Sequence, residues 1–242
     1  EVDKELIPFI DSMHIKEIFF YGAGCSTTDK CVIVEDGLSP LFPEARIKVE
    51  DDLLGAERAL FSHKPGIAGI LGTGSNSCYY DGKRIVENVP SLGYLLGDVG
   101  SGAYIVKMLL KEIFTLCAPT DIRQLFEKKY NYSRVDILNQ IYQRPLPNRF
   151  LSSFMPFIRE NMAHAYILEL VKKCFRDFFD MQILKYAECS NAAISCTGSV
   201  AFYFAEQLKE VAVEKGLKIT DIVKSPIEGL SEYHLVDLEK FT

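Results

Sequence analysis

The sequence predicts an α/β fold with mixed sheets, and two observations carry this. Short apolar runs alternate with amphipathic stretches along the chain, as in strands joined by helices. One segment, "IAGILGTGSNSCYYDGKRI" at 67–85, departs from that alternation. Two short apolar runs flank its polar turn at 72–76, and a second turn at Asp81-Gly82 leads to a further strand, so antiparallel pairing is added to parallel.

The elements follow in order. Residues 1–13 read as an amphipathic helix with Val2, Leu6, Phe9, Ile10 and Met13 on one face. A strand at 17–22 runs into Gly22-Ala23-Gly24, and a helix over 28–42 is interrupted near Gly37. "ARIKVE" is a strand, and "DDLLGAERALFSH" is a helix that begins at acidic residues. Strands at 67–71, 77–81 and 84–88 follow, the last two joined through Asp81-Gly82, a strong two-residue hairpin signal. A glycine-rich loop, "SLGYLLGDVGSGAYI", enters a helix at 103–116. Residues 120–188 read as mostly helical, broken at "RPLPNRF", with "NRF" at 148–150 preceding an amphipathic helix. A short strand then meets Thr197-Gly198-Ser199 and a helix that ends at Gly216. A weak strand at 217–224 and a helix after Pro226 complete the chain.

Composition narrows the function. The chain has 242 residues, 48% of them hydrophobic and 25% charged, enough for one large domain or two smaller ones. A net charge of −6 argues against nucleic acid or an anionic membrane surface as partner. Four histidines form no metal-ligand pattern, so no metal residues are assigned. The seven cysteines (Cys25, Cys31, Cys78, Cys117, Cys174, Cys189, Cys196) contain no Cys-x-x-Cys pair. Most sit in apolar runs and are expected to be buried free thiols, which suits a reducing cytoplasm. The chain shows no secretory signal and no apolar run of about 18 residues, so no membrane span is expected.

Three turns share one design, an apolar strand running straight into small polar residues: "GILGTGSN", "GYLLGDVGSG" and "ISCTGSV". Ligands of open α/β proteins collect at strand ends, where glycines admit phosphate oxygens to backbone N–H groups and hydroxyls add donors. None is a Walker loop or a Rossmann fingerprint. A fourth feature is Asp51-Asp52, after a strand and at a helix start. It suits a helix cap, and it equally suits a carboxylate that accepts a proton from a substrate hydroxyl.

Taken together, "VEDDLLGAERAL", "GILGTGSNSCYYDG", "SLGYLLGDVGSG" and "CTGSVAFYF" resemble the BadF-type ATPases of the sugar kinase and actin superfamily, most of all its N-acetylglucosamine kinase-like branch. The resemblance spans almost the whole chain. It implies two ribonuclease-H-like lobes: residues 1–62 a remnant of the first, residues 63–225 the second with a helical insertion at 103–188, and 226–242 a helix returning to the first. It implies ATP with Mg²⁺ and a small-molecule sugar as partners. The hairpin turn would be a phosphate loop, with Thr73 and Gly74 facing ATP and Ser75 and Asn76 facing the sugar. Asp52 matches the catalytic base. Gly93 and Asp98 match sugar contacts, and Gly198, Ser199 and Val200 match the adenosine loop. The implied reaction is ATP-dependent phosphorylation of a sugar hydroxyl, mostly a matter of positioning and charge stabilisation.

Two departures stand out. The family's Gly-Asp-Glu-Gly loop reads Gly97-Asp98-Val99-Gly100 here. The first phosphate loop, a hairpin with an Asp-x-Gly pattern that relatives place ahead of residue 1, has no counterpart after Glu1. The expectation is that such a segment precedes the strand at 17–22, which would otherwise expose unpaired backbone, and that the 242 residues alone are not a competent kinase. Val99 also keeps open a non-catalytic nucleotide- or sugar-binding regulator. The third reading is an activator-type ATPase that drives a partner enzyme, but Cys25 and Cys196 do not match that group's iron–sulfur setting and read as buried thiols. His63 and His234 read as surface residues and Arg149 as a salt-bridge partner. The wide apolar stripe of "YILELVKKCFRDFFDMQIL" fits core or homodimer packing.

Overall fold

The computed structural model describes residues 15–25 and 27–239; the helix expected at 1–13 lies outside the described residues. The protein is a mixed α/β structure, and the chain divides into two compact units, Glu1–Gly55 and Ala56–Thr242.

In the first unit, strand β1 (Glu17–Gly22) pairs in parallel with β2 (Arg46–Asp51), in register from Glu17 opposite Arg46 to Gly22 opposite Asp51. Helix α1 (Thr28–Leu38) makes the crossover that a parallel pair requires. It stops short of the expected residue 42. The Ser39 N–H still reaches the Glu35 carbonyl, but Pro40 has no N–H to continue the ladder. Strand β2 passes without a loop into helix α2 (Asp52–Phe61).

The second unit is built on a five-stranded sheet in the order β5-β4-β3-β6-β7. The meander of β3 (Gly66–Leu71), β4 (Ser75–Tyr80) and β5 (Ile85–Val89) is antiparallel. Strands β6 (Ile194–Thr197) and β7 (Ile219–Val223) extend the other side in parallel. The continuous apolar run of β3 follows from its central place, since both of its faces are covered.

Seven helices separate β5 from β6: α3 (Gly93–Leu96), α4 (Gly102–Phe114), α5 (Thr120–Lys129), α6 (Arg134–Gln143), α7 (Pro147–Ser152), α8 (Met155–Glu160) and α9 (Ala165–Met181). Two readings change here. "NRF" lies inside α7 rather than ahead of a helix, because Pro147 occupies the first helical position, where its missing N–H costs nothing. The apolar stripe of α9 is core: Phe175, Phe178 and Phe179 are fully buried. After β6, the single helix expected from the sequence is two, α10 (Ser199–Tyr203) and α11 (Ala205–Glu214), broken at Phe204, whose ring is buried. Helix α12 (Ile227–Glu239) packs on α2, with Gly229 against the Ala59 carbonyl.

Of the seven cysteines, all free, four are buried (Cys25, Cys78, Cys174, Cys196), two half-buried and Cys117 exposed. No described helix is long and apolar enough to cross a membrane.

Candidate active site

Asp52 opens α2, but it is not the residue that caps it. The Leu53 N–H donates to Asp51 Oδ1 at 2.8 Å, so Asp51 satisfies that amide of the helix start. Burial, then the neighbouring negative charge of Asp51 and a side-chain hydrogen bond to it, push the Asp52 carboxyl up to about 6. A carboxyl that titrates near neutrality accepts protons far better than an ordinary aspartate.

The hairpin turn between β3 and β4 is tied to the helix that follows in space. The N–H groups of Gly102 and Ala103, at the start of α4, donate to the carbonyls of Gly72 and Thr73 at 2.8 and 3.2 Å. Thr73 stands exposed at the tip. Gly74 has no room for a side chain, because a Cβ there would lie 2.9 Å from Asp98 Oδ2. Gly74 and Asp98, which belong to separate motifs, therefore meet. Asp98 adopts a left-handed φ of 51° and is buried, and its Oδ1 accepts from Ser91 Oγ at 3.0 Å. The same Ser91 Oγ receives the Gly93 N–H at 3.4 Å, so one hydroxyl organises both residues of the glycine-rich loop. Ser91 stood in a quoted motif without a role.

Ser75 and Asn76 are already engaged. The Ser75 hydroxyl donates to the Val99 carbonyl at 2.8 Å. Asn76 Oδ1 accepts from the Ser77 N–H and from Asn88 Nδ2 at 2.9 and 3.1 Å. The Val99 side chain is buried in the main core.

Gly198 closes the turn after β6. Its φ is 113°, and a Cβ would come within 2.4 Å of the Leu71 carbonyl oxygen. The parallel pairing of β3 with β6 thus sets the Gly198 turn directly beside the hairpin turn. Between them opens a pocket of about 270 Å³, lined by Gly72 and Thr73 on one side and by Ser199 and Val200 on another. Helices α7 and α8 add Ser152, Met155 and Arg159, and α10 adds Tyr203. The Arg159 guanidinium lies 5.0 Å from the centroid of the Tyr203 ring, and the Lys224 ammonium 5.2 Å from the same centroid. The Lys224 cation holds the exposed Tyr203 phenol below its usual range. Tyr203 stood in a quoted motif without a role, and Arg159 had no local signature.

One buried acid also escaped the sequence reading. Glu57 on α2 is fully buried, its Oε1 accepting the Ala68 N–H at 3.2 Å and the Cys78 thiol at 2.8 Å. Burial pushes its carboxyl up to about 8.

This geometry can now be set beside known proteins. The chain is 38% identical to a candidate N-acetylglucosamine kinase of known structure from Porphyromonas gingivalis, with a TM-score of 0.92 over 96% of this chain and 83% of that one. The chain belongs to the family of that protein. A second structure, a candidate N-acetylglucosamine kinase from Chromobacterium violaceum, is 13% identical, with a TM-score of 0.59 over 89% of this chain and 75% of that one. At that distance it supports the fold alone. No protein-family model and no curated protein sequence matches the chain.

Proposed function

We propose that the protein is an ATP-dependent sugar kinase whose acceptor is N-acetylglucosamine or a related amino sugar. The observation that carries this is the 38% identity, over nearly the whole chain, to a candidate N-acetylglucosamine kinase. The turns after β3 and β6 support it by bounding one pocket.

In this reading the nucleotide occupies the pocket between the two turns. Its phosphates lie toward Thr73 and Gly74, and its adenosine lies toward Gly198, Ser199 and Val200. The exposed Thr73 hydroxyl and the open backbone at Gly74 offer donors to phosphate oxygens without bringing a cation. Gly93 and Asp98 contact the sugar, as do Ser75 and Asn76. Ser75 and Asn76 use their existing hydrogen bonds to hold the loop and present their remaining capacity. Asp52 takes the proton from the attacking hydroxyl as the new O–P bond forms, and ADP departs. Mg²⁺ would be carried by the nucleotide phosphates, where it would neutralise charge developing during transfer.

We assign the same domain plan as the family resemblance implies: two ribonuclease-H-like lobes, with α4–α9 as an insertion in the second. Seven free thiols suit a reducing cytoplasm. The test is sugar-dependent ADP release by the protein across hexoses and N-acetylated hexosamines, with direct detection of the sugar phosphate. Phosphorylation of an N-acetylhexosamine is the expected result. Sugar-induced thermal stabilisation without turnover would overturn it in favour of a binding regulator.

A further inference from the structure

A second cavity, remote in sequence from the turns just described, lies where α4, α6 and α7 converge. Its volume is about 390 Å³, within the range of small-ligand sites. Its floor includes Leu110, Ile137 and Leu151, all buried. Three cations line it: Lys107 and Lys111, one turn apart on α4, and Arg134 at the start of α6. No carboxylate lines it, although the chain carries 33 acidic residues against 27 basic ones. Lys111 and Arg134 make no ion pair among the described residues. Burial holds the Lys107 ammonium below its usual range, so it is a cation short of hydration.

Cations that form no ion pair among the described residues, set around an apolar floor, select a ligand with two parts. The head must be anionic, because a neutral ligand would leave the positive charges uncompensated as it displaced their water. The body must be largely apolar, because Leu110, Ile137 and Leu151 form the floor and, besides the cations, only the Thr115 and Tyr142 hydroxyls add polar side chains to the lining. An inorganic anion satisfies the first condition only, and a free sugar satisfies neither. We propose that this cavity binds a small amphipathic anion, an alkyl or aryl chain ending in a carboxylate or a phosphate monoester.

The cavity also has a mechanical link. Lys107 Nζ donates to the Tyr94 carbonyl at 2.9 Å, and Tyr94 belongs to α3, in the loop that holds Gly93 and Asp98. An anionic head that draws on Lys107 competes with that hydrogen bond and loosens the loop. This consequence rests on the kinase reading above; the binding site itself does not.

The experiment is calorimetric titration of the protein with decanoate and decyl phosphate, using acetate and 1-decanol as controls for head and tail alone. One or both amphiphiles should bind with at least tenfold higher affinity than either control, and the tighter of the two identifies the head group. The double variant Lys111→Glu/Arg134→Glu, changed only at exposed positions, should fold as the parent does and lose at least tenfold in that affinity. Decanol binding as well as decanoate would overturn the proposal, as would undiminished binding by the double variant. Concentration-dependent dimerisation abolished by the double variant, without amphiphile binding, would also overturn it by showing that a second copy covers the face. If the amphiphile binds while sugar phosphorylation is absent, the site stands and the kinase reading falls.

Discussion

The Cys78 thiol donates its proton to Glu57 Oε1 across 2.8 Å, deep between α2 and the meander of β3 and β4. The second carboxylate oxygen, Oε2, has no partner among the described residues. Glu57 is therefore carried into the fold as the neutral acid.

The sign of the pH dependence follows. In the unfolded chain Glu57 loses its proton near 4.5, and in the fold near 8. Between those values the native state holds a proton that the unfolded state has released. Stability contributed by this group is full below about 4.5 and is lost as pH rises through about 8, at a slope of up to about 1.4 kcal/mol per pH unit. Glu57→Gln keeps the acceptor oxygen and removes the titration. Thermal unfolding should show the parent falling between about pH 6 and 8 with the variant nearly flat there, the fall with rising pH below about 6 from Asp52 being common to both.

Asp52→Asn should lower turnover by roughly 10²–10⁴-fold with little change in unfolding temperature, since the helix start is capped by Asp51. In the parent, kcat should fall as pH drops through about 6, where the base becomes protonated. Asp51→Asn retains a capping oxygen and removes the adjacent charge, so the acidic limb should move to lower pH. A limb that stays in place would remove Asp51 as a cause of the Asp52 shift.

Gly198→Ala introduces a Cβ into the Leu71 carbonyl at a φ of 113°, which L residues avoid. The turn must open. Steady-state kinetics should show KM for ATP raised several-fold, with KM for the sugar much less affected. Arg159→Ala, on the opposite wall of the same pocket, should raise KM for ATP in the same selective way while leaving the fold intact, because the side chain is exposed.

Val99→Glu recreates the Gly-Asp-Glu-Gly pattern of the resemblance and should nevertheless harm this protein. The Val99 side chain is packed in the core, and an unpaired carboxylate there costs several kcal/mol, on the order of 2–5. A urea midpoint well below that of the parent is expected; an unchanged midpoint would show that the loop can turn the side chain outward.

Much of the strand and turn framework was legible in the sequence because its signals are local. The apolar runs of β3 and β4 on either side of Gly72–Gly74 and the glycine turn after β6 each need only a few neighbours. The two-residue turn expected at Asp81-Gly82 is instead a four-residue connection, with Tyr80 opposite Ile85 and the Asp81 N–H donating to the Arg84 carbonyl. Helix ends were less legible. The stop of α1 after Leu38 and the split at Phe204 depend on a missing amide and on a ring seated in the core. Within the candidate site, the glycines and Asp52 announced themselves by motif. Ser91, Glu57 and Arg159 did not, since each draws its meaning from a partner far along the chain: Asp98, Cys78 and Tyr203.

The two amides of α4 that reach the hairpin tip carry one last implication. Gly102 and Ala103 are hooked onto Gly72 and Thr73, so tip and helix form a single stiff part, like a latch welded to its bar. Deuterium should enter those two amides only when the whole assembly comes apart. A ligand seated at the tip would then be registered along the length of α4, as slower exchange many residues from where it sits.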